Sequence, residues 1–294
     1  MTREEILTCV EKAVELGYGT VVLQSGEDHE ISPRWVATLV EEIKRTFPDL
    51  AITLSLGEYT KDIYKIWRNS GADRYLLKFE TSDIKLYRIF HPSLGGEEAN
   101  RLEHLKILKK LGYQIGGGIM VGLPGQTYSS VANDILLFYE LDLDMVGIGP
   151  YIPHPDRPMG QQYIKLRAFD TDEVPNTDIM TEKIIAITRI LCPTTNIPAT
   201  TALASVDPCG FQGGLKAGAN VVMPNLTPIK YRSLYEIYPG SISRAIEETH
   251  YTVIKAIHSV GRWEGRERGD RVKSLKDESS AETNLVDIYR GLFG

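Results

Sequence analysis

Three carboxylates, Glu27, Glu58 and Glu80, and two cations, Lys78 and Arg101, are the residues of this chain best suited to gripping a small zwitterion. Acids accept from an ammonium group, and the arginine fork matches a carboxylate, so the set suits an amino-acid-like head group. Each carboxylate follows a short apolar run: Glu27 in Gln24-Ser25-Gly26-Glu27-Asp28, Glu58 in Ser55-Leu56-Gly57-Glu58, and Glu80 in Lys78-Phe79-Glu80-Thr81. Polar or glycine-rich sequence follows four more runs: Met120 to Gln126, Gly149-Pro150-Tyr151-Ile152-Pro153-His154-Pro155-Asp156, Thr200-Thr201 and Met223-Pro224-Asn225. If the runs are strands of one parallel barrel, all seven ends converge on one mouth.

Singly these signals are weak, since Ser-Gly-Glu-Asp alone is an ordinary turn and helix cap. Gly116, Gly117, Gly118, Gly122 and Gly125 suit close approach of a ligand and close packing equally well. Met120, Met145 and Met223 read as filler of the mouth or of the core beneath it. Tyr231, Tyr235 and Tyr238 lie at helical spacing, more often a packing face than a ligand wall. His154, in a rigid Pro-His-Pro loop, could serve as a base or anion donor, or cap its own backbone.

The elements that must position these residues alternate along the chain. Helices are predicted over 3–16, 33–46, 60–70, 97–111, 128–140, 178–191 and near 210–217, and strands over 20–23, 51–54, 74–77, 114–121, 144–148, 196–201 and 220–223. Short strands that are apolar on both faces, with amphipathic crossovers, specify an α/β protein with a covered parallel sheet. The regular unit length, and the lack of a Gly-x-Gly-x-x-Gly turn after the first strand, favour a (β/α) barrel over an open sheet. Because the first element is a helix, an eight-stranded TIM-type barrel would lack its first strand. The barrel is expected over 1–260, with a charged, solvated tail over 261–294. Residues 157–177 read as a polar connection.

The 294 residues suffice for one large α/β domain. A formal charge of -6 and a pI near 5.6 carry no nucleic-acid footprint. Cys9, Cys192 and Cys209 are too scattered for a disulfide framework or a Cys-x-x-Cys metal site. No secretory signal and no apolar run of about 18 residues is present, so no membrane partner and a cytoplasmic location are expected. Serine nucleophile elbow, phosphate-binding lysine loop and His-Glu-x-x-His are all absent, which removes the parts of conventional hydrolases and kinases.

The strand-end motifs, with Ala72-Asp73-Arg74-Tyr75-Leu76-Leu77, Asn196-Ile197-Pro198-Ala199-Thr200-Thr201 and Gly218-Ala219-Asn220-Val221-Val222-Met223-Pro224-Asn225, resemble the HydE family of radical S-adenosylmethionine (SAM) maturases of [FeFe]-hydrogenase over about residues 2–240. Biotin synthase and methylornithine synthase share the barrel but differ in the Gly-Pro-Tyr-Ile-Pro-His-Pro and Pro-Ala-Thr-Thr segments. The resemblance implies SAM and a 4Fe-4S cluster as cofactors and cleavage of SAM to a 5'-deoxyadenosyl radical. It further implies a small iron- or sulfur-containing substrate and other hydrogenase maturation proteins as partners. It implies that Ser55, Glu80 and Arg101 hold the SAM amino-acid moiety, with Gln24, Gly26 and Glu27 near its ammonium, and that Thr200, Thr201, Met145, Met223, Tyr235 and Tyr238 line the substrate cavity. Lys78 stands where the family generally has arginine, keeping the charge but losing the fork.

The departure is at the start. The family holds its cluster with Cys-x3-Cys-x2-Cys after the first strand, and this sequence has no such motif. The chain therefore reads either as an N-terminally truncated radical SAM enzyme or as a cluster-free descendant that binds SAM or an amino acid without catalysis, and a sibling radical SAM activity of the methylornithine or biotin synthase type is the further alternative. Truncation is favoured, because SAM-holding residues have little reason to persist without the iron they serve. As written, the chain is not expected to cleave SAM.

Overall fold

The computed structural model describes residues 1–91, 100–161, 172–232, 234 and 245–273. Seven parallel strands run β1 (Thr20–Gln24), β2 (Ala51–Ser55), β3 (Arg74–Leu76), β4 (Gln114–Val121), β5 (Met145–Pro150), β6 (Pro198–Ala199) and β7 (Val221–Val222). β1 to β5 pair in sequence order, and β6 pairs with β7. A bridge between Met145 and Asn196 carries the order from β5 to β6. Among the described residues β1 pairs only with β2 and β7 only with β6, so the barrel is open between β7 and β1.

Helices cover the outside: α1 (Arg3–Glu15), α2 (Pro33–Thr46), α3 (Lys61–Asn69), α4 (Ile84–Phe90), α5 (Arg101–Lys110), α6 (Tyr128–Glu140), α7 (Asp178–Leu191), α8 (Thr201–Val206), α9 (Gly210–Ala217), α10 (Ile229–Arg232) and α11 (Ile246–Ser259). Their starts follow local chemistry. Thr2 and Glu5 close a reciprocal capping box on α1, Ser32 precedes a proline at the first position of α2, and the Thr127 and Thr177 hydroxyls accept amides at the starts of α6 and α7. The buried faces of these helices meet Ile52, Leu54, Tyr75, Ile115, Ile119, Val146 and Ile148 in one continuous core.

Side chains bridge the open side of the barrel. The Glu5 carboxylate meets Lys230 and accepts from the Tyr231 hydroxyl at 2.7 Å, joining α1 to α10. Lys12 lies 3.2 Å from Glu247, and the Tyr18 hydroxyl 2.7 Å from His250 Nδ1, joining α1 and the turn after it to α11.

Beyond 260, residues 262–267 are exposed, and residues 268–271 form a strap across the N-terminal ends of the strands. The Arg268 carbonyl accepts from Thr20 Oγ1 (2.6 Å) and from Arg74 Nη2 (2.8 Å), while Asn196 Nδ2 donates to the Gly269 carbonyl (2.9 Å). Arg74, only 6 % exposed, also donates to Asp270 at 2.5 Å and to Gln114 at 2.9 Å. Arg268 reaches Asp73 (2.8 Å) and Arg271 reaches Asp142 (2.6 Å). A buried guanidinium is tolerable when its donors find acceptors, and the strap supplies two of them beside Gln114 and Thr20. Among the described residues no helix is long and apolar enough to cross a membrane.

Candidate SAM-binding mouth of the barrel

The C-terminal ends of the strands bring the expected carboxylates and cations together. Arg101, at the start of α5, ties three of these ends at once. Its Nε lies 3.0 Å from Glu58 Oε1, Nη1 donates to the Lys78 carbonyl at 2.6 Å, and Nη2 meets Glu27 Oε1 at 2.5 Å and His91 Nε2 at 2.6 Å. His104 Nε2 stands 3.4 Å from the other Glu58 oxygen. Arg101, Glu27 and Glu58, read from sequence as separate contacts to a zwitterion, thus form one internal network. The ligand atoms of Glu27, Glu58 and His91 lie within 4.8 Å of one another, but the guanidinium fills the space between them that a cation would need.

Gly57 makes this network possible. Its φ of +93° is open to glycine, and a Cβ there would sit 2.3 Å from Glu27 Cγ. The Gly57 carbonyl accepts from the buried Tyr75 hydroxyl at 2.8 Å, which fixes the β2 loop from below.

Glu80 is placed differently. It has φ +64°, rare for a residue with a side chain. Its N–H donates to the Gly118 carbonyl (3.0 Å), its carbonyl accepts from Met120 N–H (3.0 Å), and Thr81 N–H donates back to Phe79 O (2.8 Å), closing a three-residue turn on Glu80. Such conformations cost about 1–3 kcal/mol and persist only where the surroundings impose them. Lys78 Nζ lies 3.0 Å from Glu80 Oε2, an ion pair between two side chains at the end of β3. The Lys78 stem passes beside Gly147 on β5, 3.6 Å from where a Cβ would stand, an ordinary packing distance.

Ser55 ends β2 half-buried, and Gln24 and Gly26 lie exposed at the rim, with Ser25 N–H donating to the Ser55 carbonyl at 3.1 Å. Thr200 caps α8 and sits 3.4 Å from the Ile148 carbonyl, while Thr201 is exposed. Met223 follows β7 half-buried. Met145 lies at the opposite, N-terminal end of β5, beside Arg74, Gln114 and Asn196 around a cavity of only about 10 Å³, in the core beneath the mouth. Tyr235 and Tyr238 lie outside the described residues. His154 Nδ1 accepts the Asp156 N–H at 3.2 Å, so this loop caps itself. Gly118 serves packing, since a Cβ there would fall 2.1 Å from the Gly147 carbonyl.

Two buried side chains escaped the reading of the sequence. Gln126 staples the glycine-rich turn after β4: its Oε1 accepts from Gly122 N–H (2.7 Å) and its Nε2 donates to the Met120 carbonyl (3.0 Å). Its spacing from Gly122 was the available signal. Asp134, fully buried on α6, accepts from Ser82 N–H at 2.6 Å. Burial pushes its carboxyl up to about 7, assisted by the charge of Asp83 and opposed by the Ser82 bonds. A lone acid amid apolar helical spacing carries no mark of this role.

The three thiols do not assemble. Cys9 is part of α1, Cys192 follows α7 and is buried, and Cys209 is exposed. Burial pushes Cys192 up to about 11, away from the thiolate a cluster needs.

Comparison with known proteins places this geometry. The model of the radical SAM superfamily matches residues 1–138. The chain is 46 % identical over 273 residues to the [FeFe] hydrogenase maturase subunit HydE of Thermotoga maritima, covering 92 % of this chain and 74 % of that protein. It is 30 % identical over 225 residues to the 3-methylornithine synthase of Methanosarcina acetivorans, covering 76 % and 59 % respectively. The crystal structure of methylornithine synthase superposes with a TM-score of 0.70 at 23 % identity, over 90 % of this chain and 74 % of that one, which shows a common fold. The resemblance carried by the strand-end motifs is thus borne out, and the chain belongs to the HydE family of radical SAM enzymes.

Proposed function

We propose that this barrel binds SAM at its mouth and acts in [FeFe]-hydrogenase maturation, on a small iron- or sulfur-containing precursor and alongside the other maturation proteins. Family membership supports the maturation role, and the paired opposite charges of Glu80 and Lys78 at the C-terminal end of β3 carry the SAM reading. A carboxylate beside an ammonium at the strand ends offers an acceptor to the SAM ammonium and a cation to its carboxylate.

The residues fit SAM better than they fit a cluster. Glu80, Lys78 and Ser55 would hold the amino-acid moiety, with Gln24 and Gly26 at the rim. Arg101 reaches a ligand only by giving up bonds to Glu27, Glu58, His91 or the Lys78 carbonyl, so its role is to set the positions of the loops. When bound, the family's two cofactors supply one-electron cleavage of a sulfonium carbon–sulfur bond. Cys9, Cys192 and Cys209 do not provide three converging thiolates, so no electron-transfer step is assigned to residues of this chain.

Titration calorimetry with SAM tests the reading. Saturable binding that weakens about tenfold or more in Glu80→Ala is expected, from loss of a charge-assisted hydrogen bond. Equal affinity in parent and variant would overturn it.

A further inference from the structure

Asp134 belongs to no part of the site described above, yet it is the side chain from another element that bonds the backbone just beyond Glu80. Its Oδ1 accepts the Ser82 N–H at 2.6 Å. The residues one turn away on α6, Ser130, Val131, Leu137 and Phe138, bring no countercharge, and the ionised group acting on it is Asp83, on the clamped loop itself. An acid this deep costs stability unless something is gained by fixing what it holds.

What it holds is the exit of the strained turn. Phe79 O, Glu80 and Thr81 N–H form the turn, Ser82 N–H runs to Asp134, and Asp83 N–H donates to Thr81 Oγ1 at 3.2 Å before starting α4. β4 fixes Glu80 on one side through Gly118 and Met120. On the other side the chain would be free to relax from φ +64° without the bond to α6.

We propose that Asp134 is a positioning residue, clamping the β3–α4 loop through the Ser82 amide so that Glu80 keeps the backbone conformation that presents its carboxylate at the mouth. This rests on the reading of Glu80 as a ligand contact, and two readouts separate the two ideas. Asp134→Asn keeps a carbonyl oxygen for the Ser82 amide, whereas Asp134→Leu fills the same space without an acceptor.

Hydrogen–deuterium exchange on the unliganded chain reads the clamp directly. Protection of residues 79–83 should hold in Asp134→Asn and fall about tenfold or more in Asp134→Leu. Calorimetry with SAM reads the consequence. Affinity should hold in Asp134→Asn and drop about tenfold in Asp134→Leu, with no further drop when Asp134→Leu is added to Glu80→Ala. Unchanged protection in Asp134→Leu overturns the proposal, as does lost protection with SAM affinity intact while Glu80→Ala loses it. If the parent binds no SAM, the ligand reading fails and exchange alone decides the clamp. Asp134→Ala, followed by the same measurements, replaces the leucine variant should circular dichroism show the latter misfolded.

Discussion

Arg101 Nη2 lies 2.5 Å from Glu27 Oε1, so the first residue of α5 holds the loop that follows β1. The same guanidinium holds Glu58 after β2 and the backbone of Lys78 after β3, so three loops share one fastening. Arg101→Ala would leave Glu27 and the half-buried Glu58 only their histidine neighbours and should cost about 1–3 kcal/mol in denaturant unfolding. Arg101→Lys should recover less than half of that, because a single ammonium cannot span acceptors in three directions.

The stability of the parent should fall as pH rises through the range that separates the two states of Asp134. Its folded carboxyl, at about 7, keeps a proton that the unfolded chain releases near 3.8, so stability is present below about 4 and lost between about 4 and 7. Asp134→Asn removes this slope. Above pH 7 the variant should be more stable by something on the order of 2–4 kcal/mol, with the advantage vanishing toward pH 4. Thermal scans across that range read it, and parallel curves for the two proteins would contradict it.

Acid should release the strap. Asp142 is held down at about 2 and Asp73 and Asp270 below their ordinary value, against the desolvation of all three, by bonds to Lys273, Arg271, Lys44, Arg268 and Arg74. Lowered acids contribute stability above the unfolded value that is lost as pH falls through the folded one, here below about 4. Asp270→Ala should cost about 2–3 kcal/mol at neutral pH, because it strips a buried arginine of its nearest anion, and should increase proteolysis within 262–273.

Gly118→Ala should prevent the native pairing of β4 with β5. The added carbon meets the Gly147 carbonyl at 2.1 Å, and φ is +152°. A loss of about 3 kcal/mol or more, read by urea unfolding, is expected. Gly26→Ala, whose Cβ meets nothing within 4 Å, is the matched control.

Thiol chemistry should separate the cysteines. Cys209 should react with a disulfide reagent at once, and Cys192 only on unfolding, given its burial and raised pKa. Anaerobic treatment with iron and sulfide should yield no stoichiometric cluster on this 294-residue chain. A spectroscopically typical 4Fe-4S species would contradict this.

The helices were legible wherever the caps and apolar period agreed. Sequence places α2, α6 and α7 over 33–46, 128–140 and 178–191, the spans they occupy, because Ser32-Pro33, Thr127 and Thr177 mark their starts. β6 and β7 shrink to two paired residues each, since pairing depends on neighbours that no local pattern encodes. The mouth was legible as a set of residue types, but its wiring was not. Nothing local says that Arg101 spends its donors on Glu27 and Glu58 instead of on a ligand. The strap was not legible for the same reason: the partners of Arg268 and Arg271, Asp73 and Asp142, lie far back in the chain.

That distance gives synthesis an order. The floor of the barrel is supplied by Arg268, Gly269, Asp270 and Arg271, which leave the ribosome long after the strands whose ends they cover. Until then Arg74 lacks its carboxylate, and Asp73 and Asp142 lack their arginines. The growing barrel carries a floor whose charges Lys44 and Lys109 balance only in part, and its own late segment completes the balance.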